Sequence, residues 1–272
     1  MRALFIGDVV GRPGRQSVAR WVPDLREQCA VDLVVANGEN AAGGLGATPE
    51  TLRELREAGV DAITLGNHVW RKREMARSLD KMDGVVRPAN YPPGSPGKGA
   101  AIVKTSQGHE VGLVSLVGRV FMEPLDCPFA VGRREVDLLR ETTPIILVDM
   151  HAEATSEKVA MGWHLDGRCS AVLGTHTHVQ TADERILPGG SAYITDVGMT
   201  GPFDSVIGVE VDRVITKFVT GMPTEFRVAK GRPGLNAVCL EIEDDTGRAR
   251  SIERIVRFDE DWPDTREQAK EC

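Results

Sequence analysis

Eight short runs of aliphatic and β-branched residues punctuate this chain, at 3–6, 33–36, 62–65, 100–104, 111–117, 145–148, 171–173 and 192–195. Each has the length and make-up of a buried strand, and together they are too many for one small sheet. Between the first two, Val18, Trp21, Val22 and Leu25 recur at i, i+3, i+4 and i+7, which predicts an amphipathic helix with Pro13 in its first turn. Pro23 is expected to kink or interrupt it, because proline donates no backbone hydrogen bond. The next crossover is cleaner: Thr48 caps, Pro49 opens the helix, Leu52 and Leu55 face a sheet, and Gly59 stops it. This β-α-β-α order implies parallel strands at the start. A hairpin around 106–109 and a strand-turn-strand over 229–242 add antiparallel pairs, so the reading is an α/β fold with two mixed sheets.

Neither a repeat nor a convincing linker divides the chain, which is read as a single domain over 1–272 with a polar tail from about 259. The proline- and glycine-rich stretch RPANYPPGSPGKG, 87–99, reads as a long surface loop. Five scattered cysteines, odd in number and without a C-x-x-C, favour neither a disulfide framework nor a zinc knuckle and point to a reducing compartment. No apolar run approaches bilayer-spanning length, so a cytoplasmic location with no membrane association is expected. A net charge of −7 argues against a stable nucleic-acid complex while leaving room for a small anionic substrate.

Polar chemistry collects at the strand ends. The segment GTHTHVQ, 174–180, sets His176 and His178 one residue apart, and in an extended segment alternate side chains would converge on one point. Asp8 follows the first strand; Asn37, Glu39 and Asn40 follow the second; Asn67 and His68 follow the third; His151 follows the run at 145–148. One Asp or Asn at a strand end is ordinary turn chemistry. Five successive strands delivering such groups to one rim is not. Eight groups (Asp8, Glu39, Asn40, Asn67, His68, His151, His176, His178) exceed one tetrahedral zinc, whereas two metals about 3.5–4 Å apart can share a carboxylate, for which Glu39 is the natural bridge. Mixed imidazole and oxygen donors fit iron, manganese, zinc or cobalt better than magnesium or calcium.

The motifs GD at 7–8, GNH at 66–68, the lone His151 and THTH at 175–178 resemble the calcineurin-like metallophosphoesterase superfamily. Within it, NGEN at 37–40, GNHVW at 66–70 and TDVGMTGPFDSVIG at 195–208 resemble the YmdB-like branch, bacterial phosphodiesterases associated with cyclic nucleotides. The resemblance spans most of the chain. It implies a four-layer αββα sandwich with two mixed β-sheets and a dinuclear centre at one end. The cofactors it implies are two divalent or trivalent transition-metal ions per chain, iron favoured, with manganese or zinc as alternatives. Carried over by residue, it assigns one ion to Asp8, Glu39, Asn40 and His178, and the other to Glu39, Asn67, His151 and His176. It makes His68 the general acid in hydrolysis of a small phosphodiester, a 2′,3′- or 3′,5′-cyclic nucleotide, attacked by a hydroxide shared between the ions.

Three departures from the superfamily pattern stand out. Val10 occupies the position of a usual histidine, a vacancy that Asn40 can fill, and Glu39 replaces the usual bridging aspartate. Val69 replaces the acidic residue that commonly orients the GNH histidine, so His68 must be oriented from elsewhere. The alternative readings are a phosphomonoesterase or nuclease on the same site, or a metal- or nucleotide-binding regulatory protein with little turnover. His109 and His164 read as surface or packing residues. Gly198 and Gly201 permit backbone amides to approach a phosphate, or simply form a tight loop, and Trp70 either stacks on a base or packs. Arg12, Arg71 and Arg119 are not singled out by spacing, and the substrate-binding residues stay unassigned. A homo-oligomer is expected through 87–99 and 199–223, with Met199, Phe203 and Met222 as apolar contacts.

Overall fold

The computed structural model describes residues 1–258; the polar tail read from about 259 lies outside them. In chain order the first strands are β1 (Arg2–Ile6), β2 (Asp8–Val9), β3 (Leu33–Asn37), β4 (Ala62–Thr64) and β5 (Val85–Val86). Next come β6 (Ala100–Lys104), β7 (Glu110–Val117), β8 (Ile146–His151), β9 (Ala171–Thr175) and β10 (Arg185–Ile186). The last are β11 (Ala192–Ile194), β12 (Met199–Pro202), β13 (Pro233–Ile242) and β14 (Ala249–Phe258). The α-helices are α1 (Gly11–Gln28), α2 (Pro49–Glu57), α3 (Arg73–Ser78), α4 (Pro128–Leu139), α5 (Thr155–Leu165) and α6 (Val211–Thr220). Eight strands form one sheet, ordered β2-β12-β13-β1-β3-β4-β5 with β14 paired to β13; six form the other, ordered β10-β11-β9-β8-β7-β6. Both mix parallel and antiparallel pairs.

Three apolar layers explain why the strands read as continuous hydrophobic runs. Leu4, Ile6, Val34 and Ala36 pack outward against α1 and α2 through Val18, Val22, Leu52 and Leu55. Their alternates Ala3, Phe5, Leu33 and Val35 meet Leu113, Leu147, Ala171 and Leu173 of the second sheet. On the far side, Ile146, Val148 and Val172 pack against α4 and α5 through Val131, Val136, Met161 and Leu165. Strands buried on both faces show no polar alternation, although the period of two still decides which layer each side chain enters. The result is the four-layer αββα sandwich.

Several local expectations are corrected. Helix α1 runs through Pro23 as one element, so the proline does not interrupt it. Pro23 and Ala19, whose carbonyl loses its partner, both lie on the exposed face, where solvent can reach that carbonyl. The 229–242 segment is not a strand-turn-strand: β13 is continuous from Pro233, pairs with β14, and turns at 243–248. Pro233 and Gly234 suggest a turn locally but pair with Pro202 and Gly201 of β12. The 87–99 loop is only half on the surface. Arg87 is buried with its guanidinium on the carbonyls of Pro88, Ser95 and Pro96, and Asn90 replaces a strand neighbour by bonding both N and O of Val117. By contrast, α2 begins with Thr48 accepting from Thr51 N, has Pro49 in its first turn, and is followed by Gly59 at φ 99°, as read.

Candidate metal centre

All eight sequence-selected residues meet at the carboxyl ends of β1, β3, β4, β8 and β9. These five strands are not successive, and they divide three and two between the sheets. Asp8 lies just past β1, where its backbone is fixed by Asp8 N donating to Gly198 O at 3.0 Å. Glu39 and Asn40 lie in the turns after β3, Asn67 and His68 in those after β4. His151 ends β8, and His176 and His178 follow β9.

The convergence of the two THTH imidazoles does not come from an extended strand. Strand β9 stops at Thr175, and His176 and His178 adopt φ values of 95° and 66°. Non-glycine residues in this region carry strain that surrounding bonds must hold. Here Asp8 Oδ2 accepts from His176 N at 3.0 Å, and Asp196 Oδ2 accepts from both Thr177 N at 3.0 Å and Thr177 Oγ1 at 2.6 Å. Lys158 of α5, buried, closes the knot with Nζ 2.7 Å from Asp196 Oδ2.

At the centre, His151 Nε2 stands 3.2 Å from Glu39 Oε1, 2.9 Å from Asn67 Oδ1 and 3.1 Å from His176 Nδ1. Asn40 Nδ2 lies 3.1 Å from Glu39 Oε1 and 3.3 Å from His178 Nε2, which is itself 3.8 Å from Asp8 Oδ1. His68 Nδ1 is 2.8 Å from Asn40 Oδ1 and 3.2 Å from Glu39 Oε1. The orientation that Val69 cannot supply therefore comes from Asn40 and Glu39. His109, in the hairpin turn, and His164, 3.2 Å from Phe129 O, lie outside the cluster.

The donor set fits a metal ion. Ligand atoms of Glu39, His151 and His176 all lie within 4.8 Å of one another. Asp8 Oδ1 is fully buried without a hydrogen-bond partner, a state that costs about 1–3 kcal/mol or more for a charged group unless a cation satisfies it. Gly66 keeps the space clear, since a Cβ there would stand 2.3 Å from Glu39 Oε2 and 2.4 Å from His151 Nε2. Burial raises the Asp8 pKa against the pull of His178 and His151. Burial also acts on Glu39, but His151 and His68 beside it hold its carboxyl well below the usual range. His151, itself disfavoured by burial as a cation, is pushed up to about 9 by Glu39 and Asp8, whereas burial and His151 push His176 down to about 3. Two buried carboxylates that face imidazoles and no lysine or arginine partner attract further positive charge.

Behind His151 lies a polar network that the sequence reading missed. Thr175 Oγ1 donates its one proton to Asp149 Oδ1 at 2.6 Å, so at its 2.9 Å contact with His151 Nδ1 it accepts. Nδ1 thus carries hydrogen and Nε2 faces the site, so loss of the Nε2 proton leaves the tautomer a metal ligand needs. Asn37 Nδ2 and Thr64 Oγ1 donate to the other oxygen of Asp149, at 2.9 and 2.5 Å. Burial pushes this carboxyl up to about 6 against His151 and the donated bonds. The signal was strand parity: residues 37, 64, 149, 151 and 175 continue the inward series whose earlier members form the layer between the sheets.

A cavity of about 420 Å³ opens over the cluster, lined on one side by Glu39, Asn40, His68, His176 and His178. Its arginine is Arg227, not Arg12, Arg71 or Arg119. The 195–208 glycine loop spends its amides internally: Val197 N, Gly198 N and Met199 N donate to Gly174 O, Asp196 Oδ1 and His178 O. Trp70 packs edge-on to Tyr91 with ring centroids 5.7 Å apart. Met199, read as a contact surface, is buried in β12, and Phe203 packs on Phe258; Met222 alone of the three is exposed, beyond the exposed Phe218 and Val219 of α6. Among the described residues no helix is long and apolar enough to cross a membrane.

A family model described as YmdB-like protein matches residues 4–255. The chain is 50% identical over 260 residues to a 2′,3′-cyclic-nucleotide 2′-phosphodiesterase of Bacillus subtilis (strain 168), covering 96% of this chain and 98% of that protein. Its fold matches the crystal structure of a hypothetical protein from Thermus thermophilus with a TM-score of 0.89 at 48% identity, covering 95% of this chain and all (100%) of that one. It also matches the calcineurin-like phosphoesterase YfkN from Bacillus subtilis, with a TM-score of 0.58 at 14% identity over 95% and 90% of the two chains, a likeness of fold alone.

Proposed function

The chain belongs to the YmdB-like protein family, and on that premise we propose that it is a metal-dependent phosphodiesterase of small cyclic diesters, 2′,3′-cyclic nucleotides first and 3′,5′-cyclic nucleotides second. The observation that carries the reading is the buried convergence of Glu39, His151 and His176, with the orphaned Asp8 Oδ1 beside them, under an open cavity. The reading assigns Asp8, Glu39, Asn40 and His178 to one transition-metal ion and Glu39, Asn67, His151 and His176 to a second, with iron preferred over manganese or zinc. Bound there, the ions supply Lewis-acid neutralisation of phosphoryl charge and an acidified water. It treats 1–272 as one domain, since both sheets contribute donors.

Hydrolysis of a 2′,3′-cyclic ester adds hydroxyl to phosphorus, breaks the P–O2′ bond and delivers a proton to O2′. A ribose alkoxide is a poor leaving group, so a positioned acid matters. His68 suits that role: it lines the cavity, and its Nδ1 is held by Asn40 and Glu39, which leaves Nε2 as the nitrogen that hands over the proton. The net charge of −7 favours a small diester over RNA.

The test is turnover by metal-reconstituted protein on 2′,3′- and 3′,5′-cyclic nucleotides, phosphomonoesters and RNA, with elemental analysis in parallel. Two ions per chain and a preference for cyclic diesters are expected. A tenfold preference for monoesters or RNA, or full metal content without turnover, overturns the reading.

A further inference from the structure

The cavity has a second side that phosphate chemistry does not explain. Beside the metal cluster its lining includes Val10, Leu45, Ile207, Val209, Phe226 and Val228, and of these Leu45, Ile207 and Phe226 are 44%, 50% and 48% exposed. Apolar side chains left in water beside a concave polar site mark a surface meant to be covered by a ligand. A volume of about 420 Å³ also exceeds what a phosphate alone requires and falls in the range of small-molecule sites.

Two observations tie this wall to the catalytic side. Ile207 sits at φ 47°, a left-handed conformation that is a true outlier for a β-branched residue. Its carbonyl accepts from His178 Nδ1 at 2.9 Å, while Ser205 Oγ takes Gly208 N at 2.8 Å and closes the turn. The strained residue therefore fixes a centre imidazole and offers an apolar side chain to the cavity at once. Phe226 is held from one direction by Lys217, whose Nζ lies 4.5 Å from the ring centroid. Val228 packs against the loop that follows Asn40, so closely that a Cβ on Gly44 would stand 2.6 Å from it.

Resting on the phosphodiesterase reading, we propose that this wall seats the nucleobase of a cyclic nucleotide, with Phe226 as its stacking residue. A base has apolar faces and polar edges. The wall offers apolar and aromatic surface for the faces, while Glu153, Thr177 and Arg227, which line the same cavity, are the polar side chains available to the edges. Stacking on Phe226 recognises an aromatic ring as such, and that contribution is similar for the four bases, as in other stacking sites.

The experiment compares Phe226→Ala and Phe226→Trp with the parent protein on the 2′,3′-cyclic phosphates of all four nucleosides and on glycerol 1,2-cyclic phosphate, which has no base. Phe226→Ala is expected to raise KM about 5- to 150-fold for every nucleotide, the range of one stacking contact, with kcat and the base-free substrate changed less than twofold. Phe226→Trp is expected to keep nucleotide KM near the parent value. Calorimetric binding of adenosine 3′-phosphate supplies a readout independent of turnover, and Phe226→Ala is expected to weaken it by the same factor. Equal losses on both substrate types, an unchanged nucleotide KM, or a parent protein that handles the base-free diester as well as the nucleotides overturns the base site and leaves the phosphodiesterase reading standing. A parent that hydrolyses neither diester sinks that reading; product binding unaffected by Phe226→Ala then sinks this one as well.

Discussion

Lys158→Met isolates the ion pair beneath the THTH loop. Lys158 and Asp196 are 1% and 0% exposed, and the pair is 2.7 Å apart. Methionine replaces the stem with an unbranched chain of similar reach, so the cavity cost is small. The electrostatic cost is not: removing one partner of a buried pair costs about 3–5 kcal/mol, because the other charge stays buried alone. Asp196 keeps three donors, Thr177 N, Thr177 Oγ1 and Gly198 N. Those retained bonds place the expected loss near the lower bound, about 3 kcal/mol. At about 2–4 °C per kcal/mol for a large domain, the melting temperature should fall by about 6–12 °C. The assay is thermal unfolding in excess chelator, so that metal binding does not mask the change. Lys158→Met combined with Asp196→Asn is expected to recover more than half of the loss, since no charge is then stranded. A single-variant loss under about 1 kcal/mol, or strictly additive effects of the two changes, refutes the reasoning.

His68→Ala is expected to retain its metal content and lose about 10²–10⁴-fold in turnover of ribose diesters, with a smaller loss on a nitrophenyl diester whose leaving group needs no acid; an equal loss on both substrates rejects the acid role. Gly66→Ala brings a methyl against Glu39 Oε2 and His151 Nε2, so elemental analysis is expected to find depleted metal in a chain that still folds. Thr175→Val removes the link between Asp149 and His151 and is expected to weaken metal binding about 10- to 100-fold in calorimetry, with Thr175→Ser restoring it; nitrogen NMR of His151 that shows an unchanged tautomer in the valine variant counts against the relay.

How far the sequence carried depends on the range of each signal. Helix α2 was legible because Thr48, Pro49 and Gly59 are local instructions. Strand β14 was not, because Ala249–Phe258 is a partly exposed strand whose charges hide the alternation, and the competing turn at Gly231–Gly234 is more conspicuous than the real one at Asp244–Gly247. The eight centre residues were legible because each follows or ends a strand. That they come from two different sheets was not, since parity says which way a side chain points but not which sheet receives it. The apolar wall was invisible for a different reason: Leu45, Ile207 and Phe226 come from three loops far apart in sequence, and an apolar loop residue carries no mark until its neighbours are known.

The centre bridges the seam between the sheets, with Asp8, Glu39, Asn40 and Asn67 from one side and His151, His176 and His178 from the other. On the proposed assignment, a cation held from both sides would act as a cross-brace between the two sheets. Under that assignment, neither the first 68 residues nor the segment from 151 to 178 holds a complete set of donors for either ion. During synthesis, capture of an ion by its full proposed set of donors would then follow closure of both halves of the sandwich. Loading would record that the chain has finished folding, and metal loss would be the earliest sign that the seam is opening.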